Sequence, residues 1–257
     1  MKDLVNTITD KDGNVVKVSM TNNEGSSVTI HTYGATIISW ICKGEEQLFL
    51  SKKAVLDGTK AIRGGIPVVF PQFGPGALPQ HGFARTTVWE FLGYKVCQSG
   101  IRVKFLLKHN ANTLSTPWGY KFKLYYTIEL TKNSLELTLE CTNLDDVPLE
   151  YTTLLHTYFR ADIDQTKVHG LEGLKYNDMV AKSSDSVETG KILTISERID
   201  RSYKNTPEIV KVEVGNGRKI EIKSNNFKDT GMYIYAPFSA FLPVWEKIEM
   251  LYRTLLH

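Results

Sequence analysis

Apolar and polar residues alternate strictly along "SLELTLECT". Leu135, Leu137, Leu139 and Cys141 fall on one side, and Glu136, Thr138, Glu140 and Thr142 on the other. Successive side chains of an extended chain point to opposite faces, so this period of two predicts a strand with a core face and a wet face. "IRVKFLLK" repeats the pattern, setting Ile101, Val103, Phe105 and Leu107 against Arg102, Lys104 and Lys108. "KFKLYYTIEL" sets out Phe122, Leu124, Tyr126, Ile128 and Leu130 as an apolar row, and "TKNS" reads as the turn that leads into the Ser134 strand. "VEVGNGRKIEIK" predicts a second hairpin, because Gly215-Asn216-Gly217 tolerates positive φ. Further strands are expected at Val15–Met20, Ser27–Thr32, Thr36–Cys42, Val88–Val96, Leu149–Phe159 and Met232–Tyr235.

A helical period emerges only in the tail. There "PVWEKIEMLYRTLL" puts Val244, Ile248, Leu251 and Leu255 on one stripe and predicts a short amphipathic helix. Many antiparallel strands in 257 residues predict an all-β fold, a large antiparallel β-sandwich with a short atypical C-terminal helix. No linker, low-complexity stretch or repeat divides the chain, so a single domain over residues 1–257 is expected.

Charge narrows the partners. A formal net charge of +3 without a dominant Lys/Arg run does not indicate a nucleic-acid or anionic-membrane surface. No apolar run is long enough to span a bilayer, and "MKDLVNTITDKDGN" lacks the apolar centre of a signal peptide. Cys42, Cys97 and Cys141 are odd in number and widely spaced, which predicts buried free thiols in a reducing, cytoplasmic setting. We expect a monomer.

Two stretches carry candidate chemistry. In "RGGIPVVFPQFGPGALPQHGFAR", Gly64-Gly65 would let backbone approach a ligand closely, while Pro67 and Pro71 stiffen the middle of the segment. Arg63 and Arg85 offer rigid guanidinium forks to a phosphate or carboxylate, and Gln80 and His81 add groups suited to sugar hydroxyls. A structural loop with solvent-facing arginines is the plainer alternative. In "LEYTTLLHTYF", alternation places Thr152, Leu154, His156 and Tyr158 on one face. His156 is either a hydrogen-bonded buried imidazole or a general acid, and the pattern alone does not choose. "RGGIP" is no P-loop, and HExxH, paired CxxC and GxSxG are absent. His109, His169 and His257 show no metal-ligand spacing, and "PWGY" at Pro117–Tyr120 reads as a packed aromatic turn.

Five stretches together, "RGGIPVVFPQFG", "LPQHGFARTTVWEFLG", "LLHTYFRADI", "VHGLEGLKYND" and "ERIDRSYKNT", resemble the galactose-mutarotase-like (aldose 1-epimerase) superfamily. The nearer likeness is to its hexose-6-phosphate mutarotase, or glucose-6-phosphate 1-epimerase, branch. The resemblance runs to about Thr230, with a divergent tail at 231–257. It implies a large antiparallel β-sandwich that interconverts the α and β anomers of a hexose 6-phosphate, with no metal and no organic cofactor. It further implies that His156 is the general acid that protonates the ring oxygen. Arg63, Gln80 and Arg85 match substrate- and phosphate-contacting positions, Asp200 a carboxylate that binds sugar hydroxyls, and His81 a pocket residue. The family's general base is a glutamate on a strand near the C-terminus in a "CVE" context, which is missing here. Glu246 and Glu249 are the only late acids. A sugar-phosphate-binding homologue without the base, and an epimerase of free aldoses, stay open as alternatives.

Overall fold

The computed structural model describes residues 4–224, 231–236 and 247–256. Its Cα positions fall into two compact units, residues 1–151 together with 257, and residues 152–256. Strands pair antiparallel in both units, so the chain is all-β as its alternation predicts.

The first unit begins with β1 (Val5–Thr9), β2 (Val15–Thr21), β3 (Ser27–His31), β4 (Thr36–Cys42) and β5 (Glu45–Glu46), which pair in that order. The two-residue β6 (Val68–Val69) comes next. A second sheet consists of β7 (Glu90–Val96), β8 (Gly100–Lys108), β9 (Phe122–Thr131) and β10 (Leu135–Asn143), in the order β10-β9-β8-β7. Every apolar position predicted on β8 and β9 is buried, from Ile101 to Leu107 and from Phe122 to Leu130. "TKNS" closes the β9–β10 hairpin, with Thr131 N–H donating to Ser134 O at 3.0 Å. Asn22 and Ser26 donate to the carbonyls of Thr131 and Lys132 at 2.9 and 3.1 Å, tying the β2–β3 turn to the β9–β10 turn.

The second unit carries β11 (Tyr151–Arg160), β12 (Lys167–His169), β13 (Lys175–Asp178), β14 (Ser183–Val187), β15 (Ile192–Thr194) and β16 (Ile199–Lys204). After these come β17 (Ile209–Gly215), β18 (Arg218–Lys223), β19 (Gly231–Ala236) and β20 (Lys247–Leu256). One sheet runs β14-β13-β16-β19-β20-β11, the other β15-β12-β17-β18. The predicted β17–β18 hairpin is present, with positive φ at Gly215, Asn216 and Gly217.

The tail corrects one expectation. Residues 247–256 form strand β20 and not an amphipathic helix, while Val244 and Glu246 lie outside the described residues. "KIEMLYRTLL" fits a period of two as readily as a helical stripe, and pairing with β19 over five residues, from Gly231↔Arg253 to Tyr235↔Glu249, supplies backbone partners that a short helix lacks. This edge of β19 is therefore paired.

The cysteines are free thiols as expected, but half-buried instead of enclosed. Burial pushes the Cys141 thiol up to about 11, which disfavours its reactive thiolate form. Among the described residues, no helix is long and apolar enough to cross a membrane.

Candidate active site

The segment from Arg63 to Arg85 is held from three sides. At its start, Ser51 N–H donates to Arg63 O at 3.1 Å, Gly65 N–H to Phe49 O at 2.8 Å, and Ile66 N–H to Ile37 O at 2.8 Å. This explains the glycine pair differently from the sequence expectation. A Cβ on Gly64 would stand 2.5 Å from Phe49 O, and one on Gly65 2.0 Å from Ile37 O, with φ of +115° and +67°. The close approach that demands glycine is to the protein's own backbone.

In its middle, buried Phe70 packs with Phe83, Trp118, Phe122 and Tyr151 at ring separations of 5.0 to 6.3 Å. Trp118 also donates its Nε1–H to Glu150 O at 2.6 Å. The "PWGY" turn is thus part of an aromatic cluster, as its composition suggests. Gln72 staples the glycine-rich bend, giving Nε2–H to Gly74 O and Leu78 O at 3.1 and 3.2 Å and accepting from Leu78 N–H at 3.0 Å.

At its end, His81 sits at φ +69° and stacks on Phe73 at 5.5 Å. His81 N–H donates to Gly74 O at 3.1 Å, and its Nδ1 accepts from Gly74 N–H at 3.2 Å, which leaves the ring proton on Nε2. Burial, reinforced by the Arg85 charge, lowers the His81 pKa to about 4, so the ring is neutral near pH 7. Arg85 lies in a single 3-10 turn (Ala84–Thr86) and donates from Nη2 to Gln80 O at 2.7 Å. Arg63 and Gln80 are exposed, whereas His81 and Arg85 are half-buried. The first unit therefore presents two guanidinium groups, a neutral imidazole and an amide on one well-tied loop.

The second unit holds the other two expected residues. His156, in mid-β11, is buried and stacks on Tyr158 with ring centroids 4.7 Å apart and planes 19° apart. Asp200 is half-buried on β16, and its carbonyl accepts from Met179 N–H at 2.8 Å. Strands β19 and β20 lie between β16 and β11. At the usual strand spacing, the Asp200 and His156 strands are about 14 Å apart. That separation is too large for direct proton exchange between the two groups.

Register adds a residue. Asp200 pairs with Tyr235, and Tyr235 with Glu249, so the three occupy one row across β16, β19 and β20. Glu249 thus sits on a strand, in line with Asp200 and next to the strand that carries His156.

Sequence reading passed over the neighbour of Asp200. Arg201 donates from Nε to Asp178 Oδ2 at 3.0 Å and from Nη1 to Glu188 Oε2 at 3.2 Å, and its guanidinium lies 4.7 Å over the Tyr176 ring. Tyr203 Oη–H donates to the same Glu188 oxygen at 2.9 Å. A charged residue in a strand ordinarily reads as solvent-facing. The available signal was that Tyr176, Arg201 and Tyr203 sit in "VHGLEGLKYND" and "ERIDRSYKNT". His109 meets the Phe122 backbone, and His169 lies 3.3 Å from Glu213, so both have structural partners. Among the described residues, no group of three or more His, Cys, Asp or Glu side chains is arranged to hold a metal ion.

The chain has counterparts among known proteins. The chain belongs to the aldose 1-epimerase family, whose family model matches residues 16–240. A protein of Cenchrus ciliaris named "Putative glucose-6-phosphate 1-epimerase" is 32% identical over 209 residues, 76% of this chain and 63% of its own. An Escherichia coli (strain K12) protein of the same name is 37% identical over 177 residues, 67% of this chain and 58% of its own. The chain therefore spans about three-fifths of the length of these relatives. A crystal structure titled as a "putative mutarotase (YeaD)" from Salmonella typhimurium superposes with a TM-score of 0.81 at 25% identity, covering 98% of this chain and 89% of that one. The Slr1438 protein of Synechocystis shares the fold, with a TM-score of 0.75 at 21% identity, over 89% and 81% of the two chains.

Proposed function

We propose that this protein interconverts the α and β anomers of a hexose 6-phosphate. One observation carries the proposal: the chain combines membership of the aldose 1-epimerase family with two arginines on a loop anchored at both ends. Free aldoses offer such arginines no anion, whereas a 6-phosphate does.

The roles derive from the chemistry. Arg63 and Arg85 take the non-reacting phosphate, whose binding energy fixes the pose. Gln80, neutral His81 and Asp200 bond sugar hydroxyls. A carboxylate removes the C1 hydroxyl proton, while His156 delivers a proton to the ring oxygen as the C1–O5 bond breaks. The open-chain aldehyde turns about C1–C2. Closure on its other face returns the proton to His156 and the carboxylate's proton to the new C1 hydroxyl, so nothing is consumed. Imidazole suits the acid role because its ordinary proton affinity lies near neutral pH. Each proton transfer contributes roughly 10²–10⁴-fold. We assign the carboxylate to Glu249, on the strength of its row with Asp200 and its strand's place beside β11. The free thiols fit a cytoplasmic enzyme, and we expect it to act as a monomeric single domain.

The test is the optical rotation of freshly dissolved α-glucose 6-phosphate. Its decay is expected to quicken with the protein, to lose that acceleration in His156→Asn and Glu249→Gln, and to need more substrate for half-saturation in Arg85→Ala. Decay that is equal with and without protein, alongside heat on titration, would leave a sugar-phosphate-binding protein instead. Faster turnover of free glucose than of its 6-phosphate would move the substrate to unphosphorylated aldoses.

A further inference from the structure

Asp178 and Arg201 face each other in the β13–β16 register, and Asp200 and Met179 are their chain neighbours. Arg201 bonds the Asp178 carboxylate at 3.0 Å, and Met179 N–H bonds Asp200 O at 2.8 Å. These two links and the two stretches of backbone between them close a ring that includes the peptide joining Asp200 to Arg201. The other Asp178 oxygen accepts from Val180 and Ala181 N–H at 2.9 and 2.8 Å, so the same carboxylate shapes the turn that presents Met179 N–H. Arg201 is braced further by Glu188 and by the Tyr176 face. Only 16% of the Arg201 side chain and 11% of each carboxylate are exposed.

We propose that Asp178 and Arg201 are positioning residues, which lock the backbone at Asp200 so that its carboxylate meets the sugar hydroxyls in one fixed direction. Successive strand residues point to opposite faces, so Arg201 works from the face opposite Asp200 and touches no substrate. A carboxylate held this way binds without reordering, which is where tight hydroxyl recognition arises. Burial acts to raise the Asp178 pKa, yet the Ala181, Arg201 and Val180 bonds together hold it below the usual range, so the tie persists at neutral pH.

The inference rests on the Asp200 role proposed above, and its test separates the two. Asp178→Asn keeps an oxygen for Val180 and Ala181 N–H but turns an amide toward Arg201. With the intact protein and α-glucose 6-phosphate, KM is expected to rise on the order of tenfold with kcat within about twofold, the effect of a lost charged hydrogen bond on uniform binding. Arg201→Lys, which keeps the charge but loses the fork, is expected to act in the same direction and carries the test if Asp178→Asn does not fold. In an Asp200→Asn background, Asp178→Asn should change KM less than about twofold, because the residue it positions is already gone. An unchanged KM in both single variants, or a full additive effect in the double variant, would overturn the positioning role while Asp200→Asn still raises KM. If Asp200→Asn leaves KM unchanged, the Asp200 role itself fails and takes this inference with it.

Discussion

Arg102 of β8 and Arg201 of β16 each meet carboxylates across a strand pair, in surroundings that differ in kind. Arg102 faces its register partner Glu129, donating from Nε to Oε2 at 2.8 Å, but 46% of its side chain is open to water. Arg201 is 16% open, with two carboxylates, a tyrosine hydroxyl and an aromatic face around it. The first pair lies on the polar face of a sheet whose opposite face is a continuous apolar core, with the arginine open and Glu129 covered. The second takes the place of apolar packing between β13, β14 and β16. Water and salt serve the open Arg102 side chain well, so its half of the pair gains little, although Glu129 is only 8% exposed. A buried one has cost its desolvation already, so losing a single member leaves charge stranded. Two ion pairs that look alike in sequence therefore carry different weights.

The sharpest way to break this comparison is on the core face of the β8–β9 pair. Phe105→Ala empties a fully buried ring site and is expected to cost about 3–5 kcal/mol. Urea unfolding followed by fluorescence reads it. A loss no larger than that of Arg102→Gln would mean that the sheet does not depend on its apolar face.

Arg201→Met is expected to rank next, at about 3 kcal/mol, the lower end for a buried pair broken on one side. The stranded groups are Asp178 and Glu188, each 11% exposed. The same urea experiment applies, and a midpoint equal to the parent's would place Arg201 with Arg102 as a surface group.

Legibility in the sequence follows the same divide. The strands of the first unit could be read because their apolar rows repeat every second residue, and Ile101 to Leu107 and Phe122 to Leu130 are buried as that period requires. The tail could not, since Ile248, Leu251 and Leu255 satisfy a helical stripe within a segment that alternates equally well, and only pairing with β19 decides. The glycine pair marked a tight approach, but a sequence does not say what is approached, and here it is the carbonyls of Phe49 and Ile37. His156 stood out as an imidazole within an apolar strand and is indeed buried. Arg201 did not stand out, because its surroundings come from β13 and from Glu188, 13 residues away in the chain.

The smallest effect concerns acid, and it asks what holds Glu129. The Ser99 hydroxyl contributes most to lowering its pKa below the ordinary value of 4.5; burial opposes this, and the Arg102 bond and charge add to the lowering. A carboxylate depressed by folding adds stability above its unfolded pKa, and that stability is lost as pH falls through the folded value. Between pH 4.5 and the lower folded value, protonation of Glu129 thus pulls toward the unfolded chain. Ser99→Ala is expected to flatten this part of the stability–pH curve more than Arg102→Gln does, since the hydroxyl contributes most to the lowering while 46% of the Arg102 side chain is open to water. Urea midpoints across acid pH at low and high salt distinguish the two. Salt should erase the Arg102→Gln effect and leave that of Ser99→Ala. The reverse order would make the exposed arginine the true holder of Glu129 and undo the contrast with Arg201.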